Sequence, residues 1–511
     1  MRIAARRGIH RFRRWFQVAF LVAFLVLLTL TVWPLGRLYL GAFLVADPLI
    51  ALNSIANGVW KPAMLLAIGM LVLPLLAGRA FCGYACPMGT IVELTGGTSR
   101  ASRLSPRARR VMRAMPAYIL IGSAGLLLFA SSVFLLFDPL STLTRSATVL
   151  LYPLLDRLLR LVGDTAALAP PLQSGVDAMN SVLSGRVVFS QPLVYGLSFG
   201  VLAMFAGILG LSALEPRLWC RDLCPLGALL GQVGRFAPIG RRVDAEKCIE
   251  CGKCAKVCPL DAVSEDFHGT DTTRCQLGFE CADACPTGAI SFGGRPARAT
   301  ERLGQPGRRA FLGASAGALV VGFFAYTGLT RRVRDPRLVR PPGARPERDV
   351  LALCSRCGQC MKTCPTNVLQ PSLSKTGVVG VFTPEMDYRI GFCEWSCAEC
   401  GRVCPTGAIM PLTLARKHET VIGRAYIDRN RCIPWADGKT CLVCQELCPL
   451  PDKAIVINEA DVRTPMGTTV RLGRPEVIAD KCIGCGVCEY NCPVPHESAV
   501  TVRAVEPERR G

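Results

Sequence analysis

The sequence predicts a multidomain chain: an α-helical membrane domain of four spans plus a fifth anchor span, joined to two small, cysteine-dense α+β domains. Three observations predict it. Half of the 511 residues are hydrophobic, and mean hydropathy is +0.34. Apolar runs near the ~20 residues that cross a bilayer recur along the chain. The 27 cysteines, an odd number, crowd into two soluble stretches and two short repeats. The boundaries read as 1–243 for the four-span domain, 244–296 for the first cysteine-dense domain, 297–350 for the anchor span and linker, and 351–511 for the second.

The five apolar runs are Phe16–Leu35, Pro62–Gly78, Pro116–Phe137, Leu193–Leu214 and Ala310–Leu329. Trp15, Trp33 and Trp60 stand at run ends, as interfacial aromatics do. A formal net charge of +21 raises nucleic-acid binding, but the basic residues flank apolar runs and form no tract with aromatics. The first 14 residues hold six Arg and no acid, and Arg79–Arg113 holds seven Arg against the single Glu93. The positive-inside rule therefore places both in the cytoplasm.

An internal repeat supports four spans. "VADPLIAL" follows the first run and "LFDPLSTL" ends the third; "FCGYACPMG" follows the second and "WCRDLCPLG" the fourth. Two parallel halves related by an axis along the membrane normal would carry Asp47 and Asp138 to the outer face. They would carry Cys82, Cys86, Cys220 and Cys224 to the inner face. The four thiols read as a metal or iron–sulfur site, as redox-active thiols or as structural residues, and the sequence does not choose. Each Asp precedes a Pro and reads first as a helix cap, with proton acceptance from a quinol as the other role.

The soluble cysteines fall into six runs, each ending in Cys-Pro. They are Cys248, Cys251, Cys254, Cys258; then Cys275, Cys281, Cys285; then Cys354, Cys357, Cys360, Cys364. Cys393, Cys397, Cys400, Cys404 follow, then Cys432, Cys441, Cys444, Cys448, and finally Cys482, Cys485, Cys488, Cys492. Two-residue gaps let one loop offer three thiolates to a cubane, while the fourth reaches a partner cluster. Soft sulfur donors select iron–sulfur or zinc, and zinc would favour four-Cys units without this rhythm. Both cysteine-dense domains therefore read as bacterial-ferredoxin-like iron–sulfur domains.

The second run lacks one ligand: Gly278 stands where a cysteine belongs. Four cysteines sit in the membrane repeats, and the other 23 are one short of six complete sets. Crossed ligation gives one cluster to Cys248, Cys251, Cys254 and Cys285, and the other to Cys258, Cys275 and Cys281. About five [4Fe-4S] clusters plus one three-Cys cluster follow. The last is a [3Fe-4S] cluster, or a site-differentiated [4Fe-4S] with water or a carboxylate such as Glu280 on the odd iron; a run that has lost its cluster is the alternative. His10, His268, His418 and His496 lie outside the apolar runs and no C-x-x-C-H occurs, so no haem is expected. No flavin or NAD motif is recognised.

Arg308-Arg309 before an apolar run resembles a twin-arginine export signal, and without an A-x-A site the run stays as an anchor. The basic "RRVRDPRLVR" after it argues the other way. On these motifs residues 1–296 resemble the NapH/MauN-type membrane ferredoxins. Residues from about 307, through "GRRAFLG", "VRPPGA", "LCSRCGQCMKTCP", "SCAECGRVCPTGAI", "CLVCQELCPLPDKAI" and "CIGCGVCEYNCPVP", resemble the NapG/MauM-type exported ferredoxins. The resemblance implies a quinol dehydrogenase component in the bacterial cytoplasmic (inner) membrane. Residues 244–296 would be cytoplasmic and 351–511 periplasmic, with quinol/quinone and a periplasmic terminal reductase or cytochrome as partners and no nucleic acid. It also implies that in the last domain the outer runs pair together and the inner runs pair together. A redox maturation, assembly or sensing factor for a respiratory metalloenzyme is the alternative function.

Overall fold

The computed structural model describes residues 9–34, 36, 41–96, 105–166, 175, 193–294, 307–327, 335–373, 375–463 and 469–505. Leu35, Gly328, Leu329 and the three arginines 331, 332 and 334 of the basic segment lie outside the described residues.

The sequence repeat becomes a repeat of elements. In the first half, α1 (Ile9–Leu30) leads to a short helix α2 (Pro48–Ala56), then to apolar α3 (Leu65–Ala77) and short α4 (Pro87–Thr95). In the second, α5 (Pro106–Leu128) leads to α6 (Pro139–Ser146), α7 (Ser198–Leu214) and α8 (Pro225–Gly234). Asp47 and Asp138 cap α2 and α6; Cys86 and Cys224 cap α4 and α8, each followed by Pro. A residue before Pro is held extended and the Pro needs no N–H partner, so each of these dipeptides starts a helix.

Two helices, Phe12–Leu30 and Arg107–Leu128, are long and apolar enough to cross a membrane; Pro62–Ala77 and Ser198–Leu214 are shorter apolar helices. The third run differs from its expected bounds. Its helix begins ten residues earlier than Pro116, at Pro106, and ends at Leu128, with a separate 3₁₀ turn over Val133–Phe137. Ser131 and Ser132 interrupt the apolar stretch there, and Pro116 sits inside the helix. Leu65, Leu66, Ile68, Val72, Leu75 and Leu76 on α3 are all exposed, as are Phe199 and Leu202 on α7. Contiguous apolar surface of this kind meets a bilayer or a partner rather than water.

α9 (Arg308–Thr327) packs along α5. A Cβ on Gly125 would lie 2.8 Å from that of Ala318, and Phe129 stacks edge-on to Phe323 at 6.3 Å. The later residues of α9 meet the later residues of α5, so the two helices run in the same direction. Small residues let helices approach closely where burial from water gives no drive.

The first cysteine-dense domain is closed by antiparallel strands β1 (Ile239–Val243) and β2 (Ile290–Gly294), with Val243 opposite Ile290. The second holds β3 (Leu369–Pro371) with β4 (Pro384–Met386), and β5 (Gly423–Ile427) with β8 (Val500–Ala504). The hairpin β6 (Ile455–Arg463) and β7 (Thr469–Val477) lies between its last two runs.

These domains sit at opposite ends of the helix bundle. Residues 239–294 meet the end bearing Cys86 and Cys224: the Arg79 amide donates to Cys275 O (3.2 Å), Tyr84 Oη to Leu277 O (2.8 Å) and Arg113 to Asp261 (2.8 Å). Residues 335–505 meet the end bearing Asp47 and Asp138: Asn53 donates to Ala352 O (3.0 Å) and Lys61 to Cys404 O (2.5 Å).

Replacing Gly125 by Leu forces the α5–α9 contact apart. The expected cost is about 1–3 kcal/mol, read as a lower unfolding midpoint in detergent with the cluster absorbance of the folded protein unchanged.

Candidate iron–sulfur centres and their docking on the bundle

Six sets of thiols converge in the soluble domains. One cavity is lined by Cys248, Cys251, Cys254 and Cys285; a second by Cys364, Cys393, Cys397 and Cys400. A third is lined by Cys448, Cys482, Cys485 and Cys488, and a fourth by Cys432, Cys441, Cys444 and Cys492. Cys354, Cys357 and Cys360 lie within electrostatic reach of Cys404, and Cys275 and Cys281 of Cys258.

The first cysteine-dense domain thus shows the expected crossed arrangement. The second does not: its runs pair in sequence order, third with fourth and fifth with sixth, rather than outer with outer and inner with inner. The reason is local. β3 and β4 fold the segment between the third and fourth runs back on itself, and β5 with β8 closes the fifth and sixth runs as a separate unit.

The sets form a line. Cys360 of the Cys354 set lies within electrostatic reach of Cys400 of the Cys393 set, and the Cys393 amide donates to Cys485 O at 2.8 Å. Cys488 in turn lies within reach of Cys444. The spatial order is therefore third, fourth, sixth, fifth.

The residues fit iron–sulfur clusters. All 27 cysteines are free of disulfides, and among the described residues no three His, Cys, Asp or Glu side chains are set to hold a single metal ion. Burial pushes the Cys357, Cys397 and Cys444 thiols up to about 12 and those of Cys432 and Cys485 to about 11. Such thiols give up their protons only to a cation that repays the charge. The Thr287, Thr366 and Thr406 hydroxyls lie 3.6 Å from Cys285, Cys364 and Cys404 Sγ, where hydrogen bonds tune a cluster's potential.

The four membrane-repeat cysteines also come together. Cys86 lies within reach of Cys82 and Cys220, and Cys224 of all three others. The Gly89 amide donates to Cys86 Sγ at 3.4 Å and the Gly227 amide to Cys224 Sγ at 3.2 Å. The shared C-P-x-G has a steric reason: a Cβ on Gly89 would lie 2.8 Å from Cys82 O, and one on Gly227 3.0 Å from Cys220 O.

At the opposite end Asp47 and Asp138 meet each other, both fully buried. Asp47 Oδ1 accepts from the Leu49 amide (2.8 Å) and Asp138 Oδ2 from the Ser141 amide (2.8 Å). Their remaining oxygens find no donor other than each other's carboxyl. Burial and the facing Asp138 carboxyl both push Asp47 well above the usual carboxylate range, and burial pushes Asp138 up as well. The cap and the acid pair are the same residues.

Residues 353–408 match the model of a 4Fe-4S dicluster domain, and 4Fe-4S binding-domain models match 60–106, 197–243, 241–264 and 479–495. The methylamine utilization ferredoxin-type protein MauM of Methylorubrum extorquens is 34% identical over 198 residues, 37% of this chain and 85% of the relative. This chain belongs to the MauM ferredoxin-type family. The ferredoxin-type protein NapG of Escherichia coli is 34% identical over 197 residues, 37% of this MauM-type chain and 82% of NapG. The putative electron transport protein YccM of the same species is 30% identical over 226 residues, 44% of this chain and 53% of YccM. No solved structure matches. Several iron–sulfur clusters and an electron-transfer role are thereby supported for this MauM-type chain.

Sequence reasoning missed the charged residues that join domains to bundle. At the cysteine end Arg13 donates to Glu93 (2.5 Å) and Glu280 (2.7 Å), and Arg217 binds Glu93 and Gln276. Burial alone would raise Glu93, but the Arg217 and Arg13 guanidiniums bring it down to about 2. Its signal was present: Glu93 is the lone acid among the seven arginines of 79–113. At the aspartate end the 354–360 loop plugs the bundle. Arg356 donates to Ser132 O (2.7 Å), Arg145 donates to Arg356 O (3.1 Å), and Cys357 packs within the bundle's own apolar core.

Two outcomes check this site. Cys404→Ala should remove the cluster served by Cys354, Cys357 and Cys360, and Cys492→Ala the one served by Cys432, Cys441 and Cys444; resonances of the remaining clusters identify the loss. Glu93→Gln should cost about 1–3 kcal/mol, because, among the described residues, Arg217 loses its carboxylate and keeps only Gln276 and the Gly89 carbonyl, while Arg13 keeps Glu280 alone. Glu93's folded value is depressed, so its contribution is full above the ordinary glutamate range and fades as pH falls towards about 2. Unfolding midpoints against pH read this directly.

Proposed function

We propose that the chain is a membrane-bound iron–sulfur electron-transfer protein that oxidises quinol at the helix bundle and relays electrons to a reductase or cytochrome outside the membrane. The observation that carries this is the plugging of the bundle by the Cys354–Cys360 loop. Cys357 of the first set in the four-set line packs in the bundle's apolar core, Arg145 lies within electrostatic reach of both Cys357 and Asp138, and the line leads away from there. Clusters held by these thiolates supply reversible one-electron transfer.

Quinol oxidation releases two electrons and two protons, leaving quinone. The Asp47–Asp138 pair is assigned the acceptance of these two protons in turn, each passed to the outer solution before the next arrives, while the two electrons enter the Cys354 set one at a time. Arg356 and Arg145 fix the loop against the acid pair's end of the bundle. The Cys432 set, farthest along the line, is the exit, beside Trp435 with Arg429 and Arg474 stacked on its ring at 4.2 and 4.3 Å. Cys82, Cys86, Cys220 and Cys224 are assigned a further metal or iron–sulfur site facing the 239–294 domain. By the positive-inside rule, the arginine-rich ends of α1 and α5 favour a cytoplasmic side for that domain and hence a periplasmic one for residues 335–505. Of the basic segment after α9, Arg337 pairs with Glu497 (2.7 Å) and Arg340 with Glu347 (2.6 Å).

In detergent and without oxygen, quinol should bleach the visible cluster absorbance. Asp138→Asn keeps the cap, since Asn caps as well as Asp, and should slow quinol bleaching by ~10²-fold or more with dithionite bleaching unchanged. A wild-type chain that dithionite bleaches and quinol does not would overturn the proposal and turn attention to maturation of a partner enzyme.

A further inference from the structure

The incomplete run 275–281 keeps the backbone of a complete one. In the first run the residues beside the second cysteine, Glu250 and Gly252, are left-handed at φ +52° and +66°. Arg356 and Gly358 flank Cys357 at +59° and +78°, and Gly484 and Gly486 flank Cys485 at +79° and +78°. Leu277 and Phe279 flank Gly278 in the same way, at +55° and +65°. Neither is a glycine, and L side chains disfavour this region. Phe279 is fixed there by Phe292, with ring centroids 4.4 Å apart. A loop without a guest has no need of this shape.

The position of the missing thiol is filled. A Cβ on Gly278 would strike Glu280 Oε2, with Glu280 Cδ at 3.0 Å and Oε1 at 3.3 Å. The carboxylate thus lies where a second cysteine's side chain would begin. Its charge reaches the Cys258, Cys275 and Cys281 thiols. Arg13 holds Oε1 from the bundle at 2.7 Å, leaving Oε2 on the Gly278 side. Carboxylate oxygen is an established donor to iron, and a partner on its second oxygen orients it as outer-shell groups orient metal ligands.

We propose that Glu280 replaces the absent cysteine, so that Cys258, Cys275, Cys281 and Glu280 hold a four-iron cluster rather than a three-iron one. The inference rests on the iron–sulfur reading and narrows it at one corner. That corner faces the bundle, where Arg217 holds Gln276 and the Arg79 amide holds Cys275. The iron bound by oxygen is the one most readily lost.

The test uses the full chain, prepared without oxygen in detergent, with iron per chain and low-temperature electron paramagnetic resonance of the oxidised protein as readouts. The wild type should show no three-iron signal. Glu280→Ala should lose about one iron per chain and gain that signal, while the other clusters keep theirs. Gly278→Cys combined with Glu280→Ala should restore the iron and abolish the signal. A stoichiometric three-iron signal in the anaerobic wild type would overturn the proposal, as would a Glu280→Ala protein with unchanged iron and spectrum. If Glu280→Ala loses the whole cluster, recovery in the double variant supports the assignment and non-recovery refutes it. Absence of iron and sulfide from the whole chain would instead refute the iron–sulfur reading itself.

Discussion

Buried sulfur atoms gathered in fours are costly to the protein, and the rest of the fold answers that cost. A thiol far from water resists ionisation, and several thiols packed together resist it more. Cys360 lies in the field of Cys357, Cys354, Cys404 and Cys400 together. Left-handed residues turn the loops at Cys251, Gly278, Cys357 and Cys485, amides and threonine hydroxyls face the sulfurs, and short two-stranded sheets hold the loops shut. These devices are wasted without positive charge at the centre of each set. Iron supplies it for the soluble sets.

Several polar groups of the helix bundle reach beyond it. Ser132, Asn53 and Arg145 on one end, and Arg79, Tyr84 and Arg217 on the other, each bond to a cysteine-dense domain. Polar groups at the ends of an apolar bundle need partners, and here protein rather than water provides many of them. The bundle is a connector whose two ends are shaped for different guests, although its halves derive from one repeat. Cysteine caps gather at one end and aspartate caps at the other.

Much of this was legible beforehand, because thiolate spacing and apolar repeats are local signals. Cys248, Cys251 and Cys254 sit on one loop, so their convergence follows from spacing alone. The source of the fourth thiol does not, since Cys404 and Cys492 both stand before Pro at the end of a run. Only the strand pairing decides between them. The bounds of α5 were misjudged for a related reason: hydropathy registers Val133–Phe137 as continuous with the helix, while the backbone breaks at Ser131 and Ser132. Arg13, Glu93 and Glu280 lie far apart in sequence, and their meeting depends on how the small domain rests on the bundle.

The crossed order of the last two runs bears on how the molecule is made. Cys482, Cys485 and Cys488 emerge near the end of translation, yet their set stands between those of Cys393 and Cys432. Cys492, later still, completes the outermost one. A ribosome that stalls after Cys448 therefore releases a chain interrupted in its middle as well as at its tip. Such a product has complete thiol sets only for the first two places of the line.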